Sequence, residues 1–237
     1  MNSQGQKVAV ITGASQGIGA GLVSAYRKLG YAVVATSRSI EESQDADVLA
    51  VKGDISDRAT AERVIAAGLE RFGRIDTLVN NAGIFISKPF TEFTEDDYDA
   101  VMGVNVSGFF RMSQLAIEQM LKQGGGHIVQ ITTSLVEHPN SSVPSILASL
   151  SKGGLQAATK ALAIEYASRG IRSNAVALGT IKTPMHPEQH HAALAELHPV
   201  GRMGETSDIT DAVVYLENAP FVTGVILPVD GGQTAGH

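Results

Sequence analysis

The sequence contains no cysteine among its 237 residues. This absence excludes disulfide bonds, thiolate-ligated metals and cysteine nucleophiles, and it suits a reducing compartment, so we expect a cytoplasmic protein. No stretch of 18 apolar residues occurs, and residues 1–7 lack the apolar core of a signal peptide. We therefore expect no membrane span and no secretion.

Positive charge is also scarce. The 18 lysines and arginines are outnumbered by 24 aspartates and glutamates, which gives a net charge of −6 without a basic stripe. Because nucleic acid binds to clustered positive charge, we expect no nucleic-acid partner.

What the sequence does contain is a regular alternation of short β-branched runs with longer amphipathic segments. The pattern predicts strands at 8–12, 32–36, 48–52, 77–80, 128–131, 172–177 and 225–229. It predicts helices at 18–29, 58–72, 145–169 and 208–217. It also predicts a long helix that begins at a capping box of Thr94 and Asp97 and ends at the glycines at 124–126. Such βαβ units indicate a single α/β domain over residues 1–237. We expect a doubly wound Rossmann fold with a central parallel sheet of about seven strands and helices on both faces.

A glycine-rich turn, Thr12-Gly13-Ala14-Ser15-Gln16-Gly17-Ile18-Gly19, joins the first strand to the first helix. Glycine lets the backbone approach a pyrophosphate closely, and the helix start offers unpaired N–H groups and a positive dipole end. A purely structural turn is the alternative, but the position inside a βαβ unit favours a dinucleotide site. The predicted contacts here are Gly13, Ser15, Gln16, Gly17, Ile18 and Gly19.

Several motifs in the same order resemble those of the short-chain dehydrogenase/reductase family, and the resemblance spans nearly the whole chain. Residues 12–19 match its T-G-x-x-x-G-x-G, residues 80–83 its N-N-A-G, and residues 221–224 and 230–232 its C-terminal signature. Leu178 stands where the family usually has proline. The resemblance implies an oxidoreductase that uses a nicotinamide dinucleotide and acts on a small molecule.

The resemblance also implies where the rest of the cofactor binds. Asp54 and Ile55 are similar to the pair that contacts the adenine, and residues 179–183 resemble the segment that contacts the nicotinamide amide. The further contacts implied in this way are Asn81, Ala82, Gly83, Lys152, Gly179, Ile181 and Thr183, together with Ser37 and Arg38.

The end of the second strand bears on the choice of cofactor. A carboxylate there would favour NAD, but the sequence has Ser37 and Arg38, which can bind a 2′-phosphate. We therefore expect NADP(H), with NAD(H) less favoured. The alternative is that Arg38 is an ordinary surface residue.

The family's catalytic set of Asn, Ser, Tyr and Lys is incomplete. Asn105 and Lys152 match its asparagine and lysine, and Thr133 stands in the serine's place with Ser134 next to it. Four residues before Lys152, where the family has tyrosine, this chain has Ala148, either by natural loss or by engineered removal. The usual proton donor is absent.

Several hypotheses follow from this gap. A water held by Lys152, by Thr133 or Ser134 and by the ribose could deliver the proton, and His138 is a second candidate donor. An iminium substrate would need no acid at the hydride step. The rival class of function is a catalytically silent NADP(H)-binding sensor or assembly protein.

The segment at about 183–200 resembles the family's variable lid over the substrate. It contains four histidines, at 186, 190, 191 and 198, but their arrangement does not favour a metal site, and we expect none. His186, near the lid's hinge, is a candidate substrate contact. We expect Val143, Leu147 and Met185 to make the rim of the substrate pocket apolar.

The resemblance finally implies a homo-oligomer, a tetramer or a dimer. Its interfaces would use the long helices near 95–122 and 145–169 and the C-terminal segment.

Overall fold

The computed structural model describes residues 5–236 and consists of one parallel sheet covered by helices. The sheet has seven strands in the order β3-β2-β1-β4-β5-β6-β7. The strands are β1 (Val8–Thr12), β2 (Ala32–Ser37), β3 (Val48–Lys52), β4 (Thr77–Asn80), β5 (Gly126–Thr133), β6 (Ile171–Leu178) and β7 (Ile226–Val229). This order and direction confirm the predicted doubly wound Rossmann fold.

Helices connect the strands on both sides of the sheet. They are α1 (Gly17–Lys28), α2 (Arg58–Phe72), α3 (Glu95–Val101), α4 (Gly108–Gln123), α5 (Ile146–Tyr166), α6 (His191–Ala195) and α7 (Thr206–Asn218). Within residues 5–236, no helix combines the length and the hydropathy needed to cross a bilayer.

Alternate residues of β1 explain why the strands are apolar throughout. Val8 and Val10 pack into a cluster that includes residues of α2 and α4, whereas Ala9 and Ile11 pack into a second cluster with residues of α1 and α7. Successive side chains of a strand point to opposite faces, and here both faces are buried. The continuous apolar run therefore indicated a central strand.

The long helix predicted from Thr94 to the glycines at 124–126 is interrupted. The predicted capping box is present, since Thr94 and Asp97 bond to each other's backbone N–H groups. Between α3 and α4, however, residues Met102–Ser107 form a π-helical turn. Such a turn inserts a residue into the helix and changes the direction of its side chains, and it contains Asn105.

The strand order reverses between β1 and β4, which both leave the sheet at the same edge. At such a reversal the following connections run to opposite faces and leave a crevice at the carboxyl ends of the strands. The turns after β1, β4, β5 and β6 meet at this crevice.

The opposite end of the sheet is closed by a buried polar network around Glu217 of α7. The Glu217 carboxylate accepts hydrogen bonds from Tyr31 Oη (2.8 Å), His127 Nδ1 (2.9 Å), Thr77 Oγ1 (3.0 Å) and Tyr26 Oη (3.1 Å). Burial alone would raise the pKa of Glu217, but its hydrogen bonds, led by that from His127, lower the pKa to about 2. The carboxylate is thus held in its charged form.

We expect Glu217→Gln to lower the free energy of unfolding by about 3 kcal/mol at neutral pH, because it leaves buried donors without an acceptor. The lowered pKa means that the contribution of Glu217 is fully present above the ordinary value of 4.5 and is lost as the pH falls toward 2. The difference between the two proteins in urea unfolding should therefore shrink in acid.

Glu62→Gln is the matched control, since Glu62 forms an exposed pair with Arg58 on α2. It should change stability by less than about 0.5 kcal/mol. Equal losses in the two variants would contradict the assignment.

Candidate active site

A cavity of about 500 Å³ lies along the carboxyl edge of the sheet, where the strand order reverses. Every residue predicted to contact the cofactor lines it: Gly13, Ser15, Gln16, Gly17, Ile18, Gly19, Ser37, Arg38, Asp54, Ile55, Asn81, Ala82, Gly83, Lys152, Gly179, Ile181 and Thr183. Thr133 and Ser134 line it as well. Segments that are distant in the sequence therefore form one site.

The glycine-rich turn is held against the segment that follows β4. Thr12 Oγ1 accepts hydrogen bonds from the backbone N–H groups of Ala82 (2.9 Å) and Asn81 (3.1 Å). Asn81 Nδ2 in turn donates to the carbonyl oxygens of Thr12 and Gly13. A Cβ atom on Gly19 would lie 2.1 Å from the carbonyl oxygen of Gly13, so no larger residue fits there. This closely packed backbone suits an extended phosphate-containing ligand.

The polar groups at the end of β2 are accessible to a ligand. The Arg38 side chain is 74% exposed and lies 4.0 Å from Asp54 Oδ2, an exposed pair that costs little to break. Hydrogen bonds from Ser56 lower the pKa of Asp54. Thr36 Oγ1, in a residue that lines the cavity, is buried without a partner within residues 5–236. These groups fit the ribose and phosphate half of a dinucleotide.

Lys152 projects from α5 to the opposite part of the cavity. Its Nζ donates a hydrogen bond of 2.8 Å to the carbonyl oxygen of Ile131 on β5. A Cβ atom on Gly83 would lie 3.0 Å from Nζ, so the glycine at this position permits the approach. Burial lowers the pKa of Lys152 to about 8. This amine therefore exchanges protons near neutral pH.

Thr133 and Ser134 lie at the carboxyl end of β5, the strand whose Ile131 carbonyl accepts from Lys152. Thr133 Oγ1 accepts a hydrogen bond from the N–H of Leu135, which caps the turn that follows. The buried Ser134 Oγ donates to Gln233 Oε1 at 2.9 Å. Gln233, which also lines the cavity, was missed in the sequence because its only signal was its position after Asp230-Gly231-Gly232.

Ala148 lines the cavity one helical turn before Lys152. Its methyl group is the whole side chain at this position. No tyrosine occurs among the cavity-lining residues of the part of the chain that the structure describes.

Asn105 lies beside the cavity rather than in its lining. Its Oδ1 accepts from the N–H of Ile84 (2.9 Å), and its Nδ2 donates to the Ile84 carbonyl (3.1 Å) and to Ser151 Oγ (3.1 Å). The side chain therefore joins the segment after β4 to Ser151 of α5, the residue that precedes Lys152.

Two histidines of the lid bond to nearby backbone carbonyl oxygens, and Thr183 lies beside Gly17, on which a Cβ atom would be 3.3 Å from the Thr183 Cβ. His186 lines the cavity, and its Nδ1 donates to the carbonyl of Ile181. The buried His198 accepts from the N–H of Thr180 (2.9 Å) through Nε2 and donates to the carbonyl of Leu194 through Nδ1. Within residues 5–236, no group of three or more metal-ligating side chains comes together.

The expected apolar rim is formed in part. Val143 and Met185 line the cavity, but the buried Leu147 does not, because its side chain lies about 100° around α5 from that of Ala148. That expectation was wrong. His138 is not among the cavity-lining residues either.

Comparisons with known proteins agree with this geometry. Residues 13–234 match the model of a family described as enoyl-(acyl carrier protein) reductase. The chain is 37% identical to 2-(R)-hydroxypropyl-CoM dehydrogenase of Xanthobacter autotrophicus, with 97% of this chain and 99% of the relative covered. It is 34% identical to the 3-oxoacyl-[acyl-carrier-protein] reductase FabG of Thermotoga maritima, with 95% and 97% covered.

A solved structure of ElxO with NADP bound superimposes with a TM-score of 0.90 at 30% identity, covering 98% of this chain and 100% of that one. Matches of this identity extend over almost the full length of both partners. The chain therefore belongs to the short-chain dehydrogenase/reductase family.

Proposed function

We propose that the protein is an NADP(H)-dependent oxidoreductase that reduces a carbonyl group or oxidises the corresponding alcohol. The observation that carries the proposal is the single cavity in which all the predicted cofactor contacts lie together with Lys152, Thr133 and Ser134. Similarity to a reductase, a dehydrogenase and an NADP-bound structure supports it.

The cavity has two chemically different ends. Ser37, Arg38 and Asp54 would hold the adenosine half of the cofactor, while Lys152 and residues 179–183 would hold the nicotinamide half. When bound, the reduced nicotinamide would supply a hydride to the substrate carbon. Phe85, Val143 and Met185 add apolar surface to the cavity and suit an uncharged, hydrophobic substrate.

The proton in this proposal comes by a route without tyrosine. The space beside the Ala148 methyl group would admit a water held by Lys152, by Thr133 or Ser134 and by the ribose. The polar groups that such a water needs as partners already line the cavity.

Charge favours a carbonyl over an iminium as the substrate group. A cationic iminium would lie close to the Lys152 ammonium, and the acidic side chain that lines the cavity, Asp54, belongs to the adenosine end. Like charges in a partly buried site repel strongly. Ketones should therefore be reduced faster than the matching cyclic imines.

The absence of tyrosine from the cavity-lining residues favours a second candidate function, a silent NADP(H)-binding sensor or assembly protein. The two candidates are separated by following NADPH absorbance over a panel of ketones and cyclic imines. We expect turnover by the unmodified protein. Loss of a positioned acid costs about 10²–10⁴-fold, which slows hydride transfer without abolishing it.

Two variants at Ala148 sharpen this experiment. Ala148→Tyr should raise kcat by about 10²-fold or more if the tyrosine hydroxyl becomes a general acid. Ala148→Phe fills the same space without a hydroxyl and should lower kcat. Tight NADPH binding with no turnover by any of the three proteins would support the silent protein instead.

The preference for NADP(H) depends on Arg38 in this proposal. Arg38→Ala should weaken NADPH binding by about 10–100-fold, since a charge-assisted hydrogen bond contributes about 1.5–3 kcal/mol. NADH affinity should change little, because NADH lacks the 2′-phosphate. Fluorescence titration measures both constants, with Arg58→Ala on the surface of α2 as the control. Unchanged NADPH affinity would reject this role.

We also propose that the protein is a homotetramer or dimer in a cytoplasmic setting. Large apolar side chains are exposed on α4 (Phe110), on α5 (Leu150 and Ile164) and near the C-terminal strand (Phe221). They lie on the helices and the segment expected to form the interfaces. Mass photometry should show an assembly larger than one chain, and Ile164→Lys, which charges a side chain that is 85% exposed, should shift it toward smaller species.

A further inference from the structure

The Lys152 amine is placed to do more than bind the cofactor. An ammonium has three N–H bonds, and the partner that the structure gives Nζ within residues 5–236 is the carbonyl of Ile131. Two N–H bonds remain, one for a ribose hydroxyl and one for the substrate. Position 148, one helical turn away, presents a methyl group to the same cavity, so no tyrosine hydroxyl lies beside Nζ.

We propose that Lys152 is itself the general acid of the reduction and transfers a proton from Nζ to the substrate oxygen. This role rests on the proposed function and goes beyond it, because the proton leaves the lysine rather than a water that the lysine holds. A water that gave up its proton without being replenished would become hydroxide. Bulk water is a weaker acid than the Lys152 ammonium by several orders of magnitude.

The step balances in atoms and electrons. As the carbonyl carbon accepts the hydride, the π electrons of the C=O bond move to the oxygen. The oxygen forms a bond to the proton from Nζ, and the electron pair of that N–H bond stays on nitrogen. The products are the alcohol, the oxidised dinucleotide and neutral Lys152, which then takes a proton from solvent.

The surroundings of Nζ suit this role. The other titratable groups that line the cavity are Arg38 and Asp54 at the adenosine end and His186 on the lid. The groups that the structure places beside Nζ are uncharged: the carbonyl of Ile131 from β5 and Gly83 from the segment after β4. Burial is the cause that lowers the pKa of Lys152 to about 8, and an acid is most effective when its pKa is near the working pH.

The ionisation of Nζ can be measured independently of turnover. In protein labelled with ¹³C-lysine, one side-chain resonance should titrate near pH 8 and should be missing from the spectrum of Lys152→Met. The titration should be present in the protein alone and in its complex with NADP⁺. An Nζ that titrates at the ordinary value for lysine, about 10.4, would overturn the proposal.

The pH dependence of kcat tests the proton transfer itself. With a reactive ketone, kcat should be constant below about pH 8 and should fall about tenfold per pH unit above it, as Nζ loses its proton. Lys152→Arg, which keeps the positive charge but holds its proton, should lose about 10²–10⁴-fold in kcat. Its NADPH affinity, measured by fluorescence, should change much less than kcat.

The absence of cysteine allows a sharper variant. Lys152→Cys would carry the single thiol of the chain, and alkylation with bromoethylamine would restore an amine at nearly the same reach. Sulfur withdraws electrons and makes this amine less basic than lysine, so activity should return with its pH profile shifted to lower pH. Lys160→Cys, at an exposed position of α5, should keep the profile of the unmodified protein after the same treatment.

The outcomes separate this role from the proposed function. The role of Lys152 would be overturned if the protein turned over with a pH profile that does not follow the Nζ titration. It would also be overturned if the profile stayed unchanged in the aminoethylated protein. Either result would leave the proposed oxidoreductase activity in place. Failure of the unmodified protein to reduce any carbonyl would overturn both.

Discussion

The hydrogen bonds between Thr12 and the segment that follows β4 set the geometry on which the rest of the site depends. They join the two strand ends at which the order of the sheet reverses, so the crevice has a fixed width. Asn81 completes this connection through the carbonyl oxygens of the glycine-rich turn. These hydrogen bonds use oxygen atoms of the turn and N–H groups of the segment after β4. They therefore take up none of the turn's own N–H groups, which phosphates need as donors.

At the two ends of the sheet, the surroundings of a buried ionisable group have opposite effects on its charged form: they stabilise it at one end and destabilise it at the other. At one end, Glu217 is surrounded by four donors, and its pKa is lowered, so the charged form stabilises the fold. At the other end, burial disfavours the charge of Lys152, and its pKa falls toward neutrality. A fully compensated charge resists titration, whereas a poorly compensated one exchanges protons readily. The charged group that stabilises the fold, Glu217, and the group proposed to exchange protons, Lys152, therefore lie at opposite ends of the strands.

Much of the fold and the cofactor site could be predicted from the sequence, because the signals there are local. Apolar runs such as 8–12 identify strands buried on both faces, and the spacing of Gly13, Gly17 and Gly19 identifies the turn. The missed features depend on contacts between distant segments. The π turn around Asn105, the contact of Gln233 with Ser134 and the position of His198 against Thr180 have no local pattern. Leu147 was misplaced although the sequence held the signal, since five residues separate it from Lys152 and turn its side chain away from the side of α5 that lines the cavity.

Alanine at position 148 changes the acid–base balance of the whole site under the proposed role of Lys152. In the reduction, Nζ must carry a proton to give, and in the reverse oxidation it must be neutral to accept one. The pH at which the two forms are equal follows the pKa of the acid, about 8 for Lys152. Reduction keeps its acid only on the lower side of that pKa, so near neutrality the rates of reduction and oxidation change with pH in opposite senses.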